Sequence, residues 1–159
     1  MKAIWRLSAF WLLSFACSGC ALAEEIDRST CKTLARTYFA KPLRQTVVGL
    51  AEKPLSEQYA IYICGNQYMH PPALHLAAPF AAEGAPVATF LHEKLAATSD
   101  DLVIRDIVRV FVEMQRQHSY DIQSDRRLMA VIRAKSAAIS SQYWREYVGT
   151  LVFRLEERQ

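Results

Sequence analysis

The chain has 159 residues, 52% of them hydrophobic and 22% charged, with 19 Lys and Arg against 16 Asp and Glu. That is the length of one domain, with enough apolar side chains to bury a core. A formal net charge of +3 is too small for the basic footprint that nucleic-acid binding requires, so that class is excluded.

The chain opens "MKAIWRLSAFWLLSFACSGCALAEE". Lys2 and Arg6 precede an almost wholly apolar run from Leu7 to Ala16, and Ala21-Leu22-Ala23 is a small-x-small site followed by Glu24 and Glu25. This is the layout of a secretory signal peptide. The run is too short to span a bilayer of about 30 Å as a stable helix. Residues 1–23 are therefore expected to be a signal peptide, cut between Ala23 and Glu24, and residues 24–159 a single domain in the periplasm or outside the cell. Two alternatives are an uncleaved anchor and a lipoprotein held through Cys20. Cys17-Ser18-Gly19-Cys20 resembles a bacterial lipobox, although Cys17 stands where Leu or Val is usual. Losing 23 residues leaves 136, with 17 basic and 16 acidic residues, a net charge of +1 and no membrane span. Cys31 and Cys64 then remain as an even pair in an exported protein, which is read first as a disulfide. It would close a loop of about 34 residues, stabilising by roughly 4 kcal/mol through loop-closure entropy. A redox or metal role fits less well, since residues 24–159 contain no C-x-x-C.

Downstream, Ala and Leu are plentiful, and neither period-two alternation nor a hairpin turn pair occurs, so the fold class is all-α. A first helix is expected from about Glu25 to Phe39, with Leu34, Ala35 and Tyr38 inward, ended by Lys41-Pro42. A short segment from Leu43 to Ala51 follows. Pro54 suits the first turn of a helix reaching about Tyr68. Pro71 and Pro72 break the chain, and residues 73 to 82 look helical, with Pro79 shortening or kinking the run. Gly84 should end it in the left-handed conformation. Pro86 then starts a helix carrying Val87, Phe90, Leu91 and Leu95 on one face. Thr98 to Asp101 is a polar break rich in N-caps, with Asp100 and Asp101 at the positive end of the next helix. Val103, Ile107, Val110 and Met114 form the second stripe, so the two helices should lie antiparallel and share apolar faces. After the polar stretch "QRQHSYDIQSDRR", Ser124 or Asp121 is expected to cap a helix near Asp125 to Ala137. Ser140 and Ser141 should cap a last one, with Trp144, Val148, Leu151 and Leu155 inward. The expected architecture is antiparallel helix pairs, HEAT-like or an orthogonal bundle, with six to seven helices.

Residues 84 to 114 resemble one HEAT-type repeat unit, through Gly84, Val87, Leu91 and Leu95, then Asp101, the Ile104-Arg105 pair, Val108, Val112 and Met114. In such repeats a turn aspartate and an early Val-Arg pair hold adjacent helix pairs together. The resemblance covers about 30 residues, with no second copy at a fixed spacing, and it implies a binding scaffold. In size, compartment and composition the chain also resembles the periplasmic immunity proteins of type VI secretion amidase toxins, which implies a protein partner.

Chemistry-bearing motifs are sparse. Four histidines occur, His70, His75, His92 and His118, and none has the i, i+4 partner of a helical zinc site. No C-x-x-C-H marks a haem attachment; a haem held by Met69 and His118 has nothing else to select it. G-x-S-x-G and phosphate-loop patterns are absent. Asp100-Asp101 and Glu156-Glu157 read as helix-end charges rather than paired catalytic carboxylates. Tyr59, Tyr62, Tyr68, Tyr143, Trp144 and Tyr147 are expected in the core. Tyr120 differs: beside His118 and Asp121, in the longest polar stretch, it either belongs to a binding hot spot or folds back over the hairpin end. The expectation is a helical protein–protein binding module without a cofactor or metal, its partner surface including His118, Tyr120 and Asp121. Its sharpest form is an inhibitor or immunity protein that occludes a secreted enzyme toxin. The alternative is a small periplasmic enzyme or metal or cofactor carrier that brings together His118, Asp121 and His92. The oligomeric state is not written in these patterns.

Overall fold

The structure, a computed structural model, describes residues 26–157. The signal-peptide boundary at Ala23 and Glu24, and Cys20, lie outside the described residues. Among these residues there are α-helices and one 3-10 turn and no strand. The helices are α1 (Arg28–Thr37), α2 (Leu43–Leu50), α3 (Leu55–Tyr68), α4 (Ala77–Ala81), α5 (Ala85–Ala97), α6 (Asp101–Gln117), α7 (Arg126–Ala137) and α8 (Gln142–Glu156). The count is eight rather than six to seven. The Leu43 segment is a full helix, begun by the Pro42 carbonyl, which accepts from Gln45 and Thr46 N–H. No side chain caps it, so its start carries no sequence signal. The 73–82 run divides into a turn at Leu74–Leu76 and the five-residue α4. Pro79 sits in the first turn of α4, where its missing N–H costs no helical bond.

Side-chain caps set most other starts. Asp27 Oδ1 accepts from Thr30 N at 2.8 Å, and Asp100 Oδ1 accepts from Leu102 and Val103 N at 2.8 and 2.9 Å. Ser141 accepts from Trp144 N, as expected. The cap of α7 is Asp125 itself, whose Oδ1 accepts from Leu128 N at 3.0 Å, and not Ser124 or Asp121. Asp121 closes the preceding turn instead, accepting from Ser124 N and Oγ.

The core runs between two rows of helices. α6 packs on α4 along one side and on α8 along the other, while α5 packs on α7. Each of α5 to α8 thus meets its hairpin partner and the helix two places along the chain. Val87, Leu91, Leu95, Ile107, Val110, Phe111, Met114 and Leu155 are fully enclosed. Phe90 and Val103 are half-buried at the edge of this core. α3 has no single apolar face and is buried from Ile61 to Asn66 without a break, the polar Asn66 included. Cys31 in α1 is disulfide-bonded to Cys64 in α3, as expected from the pairing of the two remaining cysteines. Gly65 allows the close approach next to that bond, because a Cβ there would lie 2.8 Å from both Ala73 Cβ and the Phe39 ring.

Candidate functional site

Two surfaces carry groups capable of recognition. The first follows α6. The helix ends on His118, whose φ of 54° is left-handed, a conformation in which histidine is enriched several-fold among non-glycine residues. Its N–H returns to Gln115 and Met114 oxygens. The chain then runs against the start of α5. Ser119 Oγ donates to Ala81 O at 2.7 Å, and Ser119 O sits where a Cβ on Gly84 would be, at 2.5 Å. Gly84 has the expected positive φ of 67°, but its ψ of −127° is not left-handed helical, and it starts α5 rather than only ending the run before. Tyr120 folds back, half-buried against the core, and its hydroxyl donates to Asp125 Oδ2 at 2.8 Å.

These contacts set the charges of the loop. Hydrogen bonds from Ser124 hold Asp121 below the usual carboxylate range. Those from Leu128 N–H and Tyr120 do the same for Asp125, and the Asp125 bond pushes the Tyr120 phenol up. Two open depressions result. One, of about 210 Å³, is lined by Gln115, His118, Tyr120 and Asp121. The other, of about 480 Å³, is lined by Tyr120, Asp121, Ser124, Asp125, Arg126 and Arg127. His118, Tyr120 and Asp121 are therefore brought together. His92 lines neither depression, although it lies near enough to act on Asp125. Among the described residues, no three of His, Cys, Asp and Glu group as metal ligands do, and no helix is long and apolar enough to cross a membrane.

The second surface lies along the seam of α6 and α8, and sequence reasoning missed it. Arg105 and Arg109 are one turn apart on the same face of α6. The Arg105 guanidinium lies 4.6 Å from the centre of the Trp144 ring. Its Nε and Nη2 donate to Asp106 Oδ1 at 2.9 and 2.7 Å. Arg109 Nη1 donates to the Tyr147 hydroxyl at 2.6 Å. Tyr143 meets Trp144 edge-on at 4.7 Å and is 68% exposed. Tyr143 and Tyr68 are thus surface residues, against the expectation of core packing. Behind the arginines, Asp106 is wholly buried. Burial pushes its carboxyl up to about 6, against the opposing pull of Arg105 and of Gln67. The two spacings, Arg-x-x-x-Arg and Trp-x-x-Tyr, were the available signal; only the packing of α6 on α8 makes them one surface.

A scan of protein-family models finds no match, and neither curated proteins nor solved structures provide one.

Proposed function

We propose that this chain is an exported protein-binding module that works by steric occlusion of an enzyme, in the manner of a toxin inhibitor or immunity protein. The observation that carries the reading is the 118–127 loop. It stands at the surface with His118 and Asp121 exposed, yet its backbone is held by Ser119 on Ala81, Tyr120 on Asp125 and Asp121 on Ser124. A loop fixed before it meets its partner loses little conformational entropy on binding, and a rigid edge can block a cleft that a soft one would only brush.

The scaffold behind the loop supports the same reading. The Asp101 carboxylate accepts from Ser140 and Ser141 N at 3.0 and 2.9 Å, and Arg105 reaches Trp144. An aspartate at the turn and an arginine early in the second helix thus link one helix pair to the next, the roles these positions have in HEAT-type units. We read the α5–α8 region as such a scaffold.

The reading is tested in cells. The proposal expects a secreted enzyme toxin among the products of neighbouring genes; a strain lacking this gene should become sensitive to it, and the wild-type gene should restore resistance. Unchanged growth of the deletion strain while that enzyme is produced would sink the proposal.

A further inference from the structure

We infer that the α6–α8 ledge is a docking surface for an acidic segment of a partner protein, a short stretch presenting Asp or Glu carboxylates. This rests on the reading of the chain as a protein-binding module, and adds the partner's chemistry and a place of contact apart from the 118–127 loop.

Charge carries the inference. Asp106 offsets Arg105, and Glu113 pairs with Arg116. Arg109 donates only to the neutral Tyr147 hydroxyl; Asp106 and Glu113 act on it from a distance, and among the described residues no carboxylate lies within ion-pair reach of it. A half-buried guanidinium with no carboxylate in contact has donors that a partner carboxylate can take up. Of its five N–H donors, one is used on Tyr147. The rest can take a carboxylate with the two-pronged geometry that makes Arg–carboxylate pairs strong.

Composition points the same way. Trp, Tyr and Arg are the residues in which interface hot spots are enriched, and here Arg105, Arg109, Tyr143, Trp144 and Tyr147 form one continuous ladder. The ladder is fixed in advance: the stacked guanidinium and the bonded phenol have already lost the freedom that binding would otherwise remove. Two other anionic surfaces share the carboxylate's charge. A nucleic-acid backbone needs several free cations along a track, and an anionic membrane needs a polybasic cluster; the ledge has one arginine with no carboxylate in contact and an exposed tyrosine. An acidic protein segment is the occupant it fits.

Trp144 makes the test direct, because it is the only tryptophan from residue 24 onward. The chain of residues 24–159, which keeps every described residue, is titrated with a hexaglutamate peptide while indole fluorescence is followed. Hexaglutamine, a single-stranded oligonucleotide and phosphatidylglycerol vesicles are parallel arms. A weak but saturable response to hexaglutamate is expected, diminished by salt, with none to hexaglutamine. Arg109→Gln should weaken it at least tenfold and Tyr143→Ser measurably. Tyr143→Ser guards against misfolding of the arginine variant, since its side chain is exposed. The inference is overturned if hexaglutamate gives no saturable response, if Arg109→Gln binds it as well as wild type, or if only the oligonucleotide or the vesicles bind. Should hexaglutamate fail while the gene still protects against the neighbouring enzyme, the ledge assignment falls and the binding-module reading stands. Should protection fail while hexaglutamate binds at Arg109, the reverse holds.

Discussion

Asp106 is the residue at which stability and surface meet. A carboxylate with no exposed surface is costly unless paired, because burial removes its water. Here Arg105 supplies the charge and Gln67 Nε2 a longer contact at 3.4 Å. Folding raises this carboxyl from 3.8 to about 6, so the native state holds its proton more tightly than the unfolded chain. The associated stability is complete below the unfolded value and is lost as pH rises through about 6. Removing the carboxyl with Asp106→Asn should remove that slope. Denaturant melts of both proteins near pH 4 and above pH 7 measure it. The wild type should lose ground to the variant on going to the higher pH, by at most about 3 kcal/mol. A difference that does not change with pH, or changes the other way, would show that folding does not raise the Asp106 carboxyl. The other shifted carboxyls, Glu113 and Asp125 among them, are common to both proteins and cancel.

At the scale of the element, the α5–α6 hairpin is what everything else rests on. Leu91 and Ile107 are fully enclosed, and truncation there leaves a cavity the packed neighbours only partly fill. Leu91→Ala or Ile107→Ala should each destabilise by about 2–5 kcal/mol. Tyr143→Ala, on the outer side of α8, should leave the melting curve within about 0.5 kcal/mol of wild type. If the surface variant unfolds as readily as the core ones, the division between scaffold and ledge is wrong. This hairpin was legible in the sequence because three signals agree there: the Asp100 cap, the proline near the start of α5 and two apolar stripes at helical spacing. A cap and one apolar stripe likewise placed the start of α8 at Ser140 or Ser141, and Ser141 is the cap. α2 was underestimated because it begins on a proline carbonyl, which has no side-chain signature, and it carries exposed Leu43 and Val48 where an inward face would be sought. The α7 cap was displaced because Asp121, Ser124 and Asp125 are all competent caps, and only the Tyr120 contact selects Asp125 for that helix. Of the candidate surfaces, the 118–127 loop was visible as a polar stretch holding an aromatic. The ledge was not, since Trp144 and Tyr147 read as core positions and nothing in the sequence singles out Asp106. Their true setting depends on which helix α6 meets, and that is a tertiary fact.

At the scale of the molecule, the parts combine into a stiff body with two differently built surfaces. The Cys31–Cys64 bond ties α1 to α3, and a bond closing a loop of that length stabilises by roughly 4 kcal/mol through the unfolded state. The α4–α6–α8 row carries the ledge along its middle, and the loop leaves the far end of α6. Stiffness matters for occlusion because an inhibitor that yields cannot hold a cleft shut. Contact at two places also adds binding energy without either needing to be large. The central claim, the proposed occlusion of a secreted enzyme, is tested most directly by titrating the candidate enzyme, sought among the products of neighbouring genes, with the purified chain. Enzyme activity should fall to background once the chain is equimolar, and Arg109→Gln should require more chain to reach the same end point. Full activity in a large molar excess of folded chain would contradict the account.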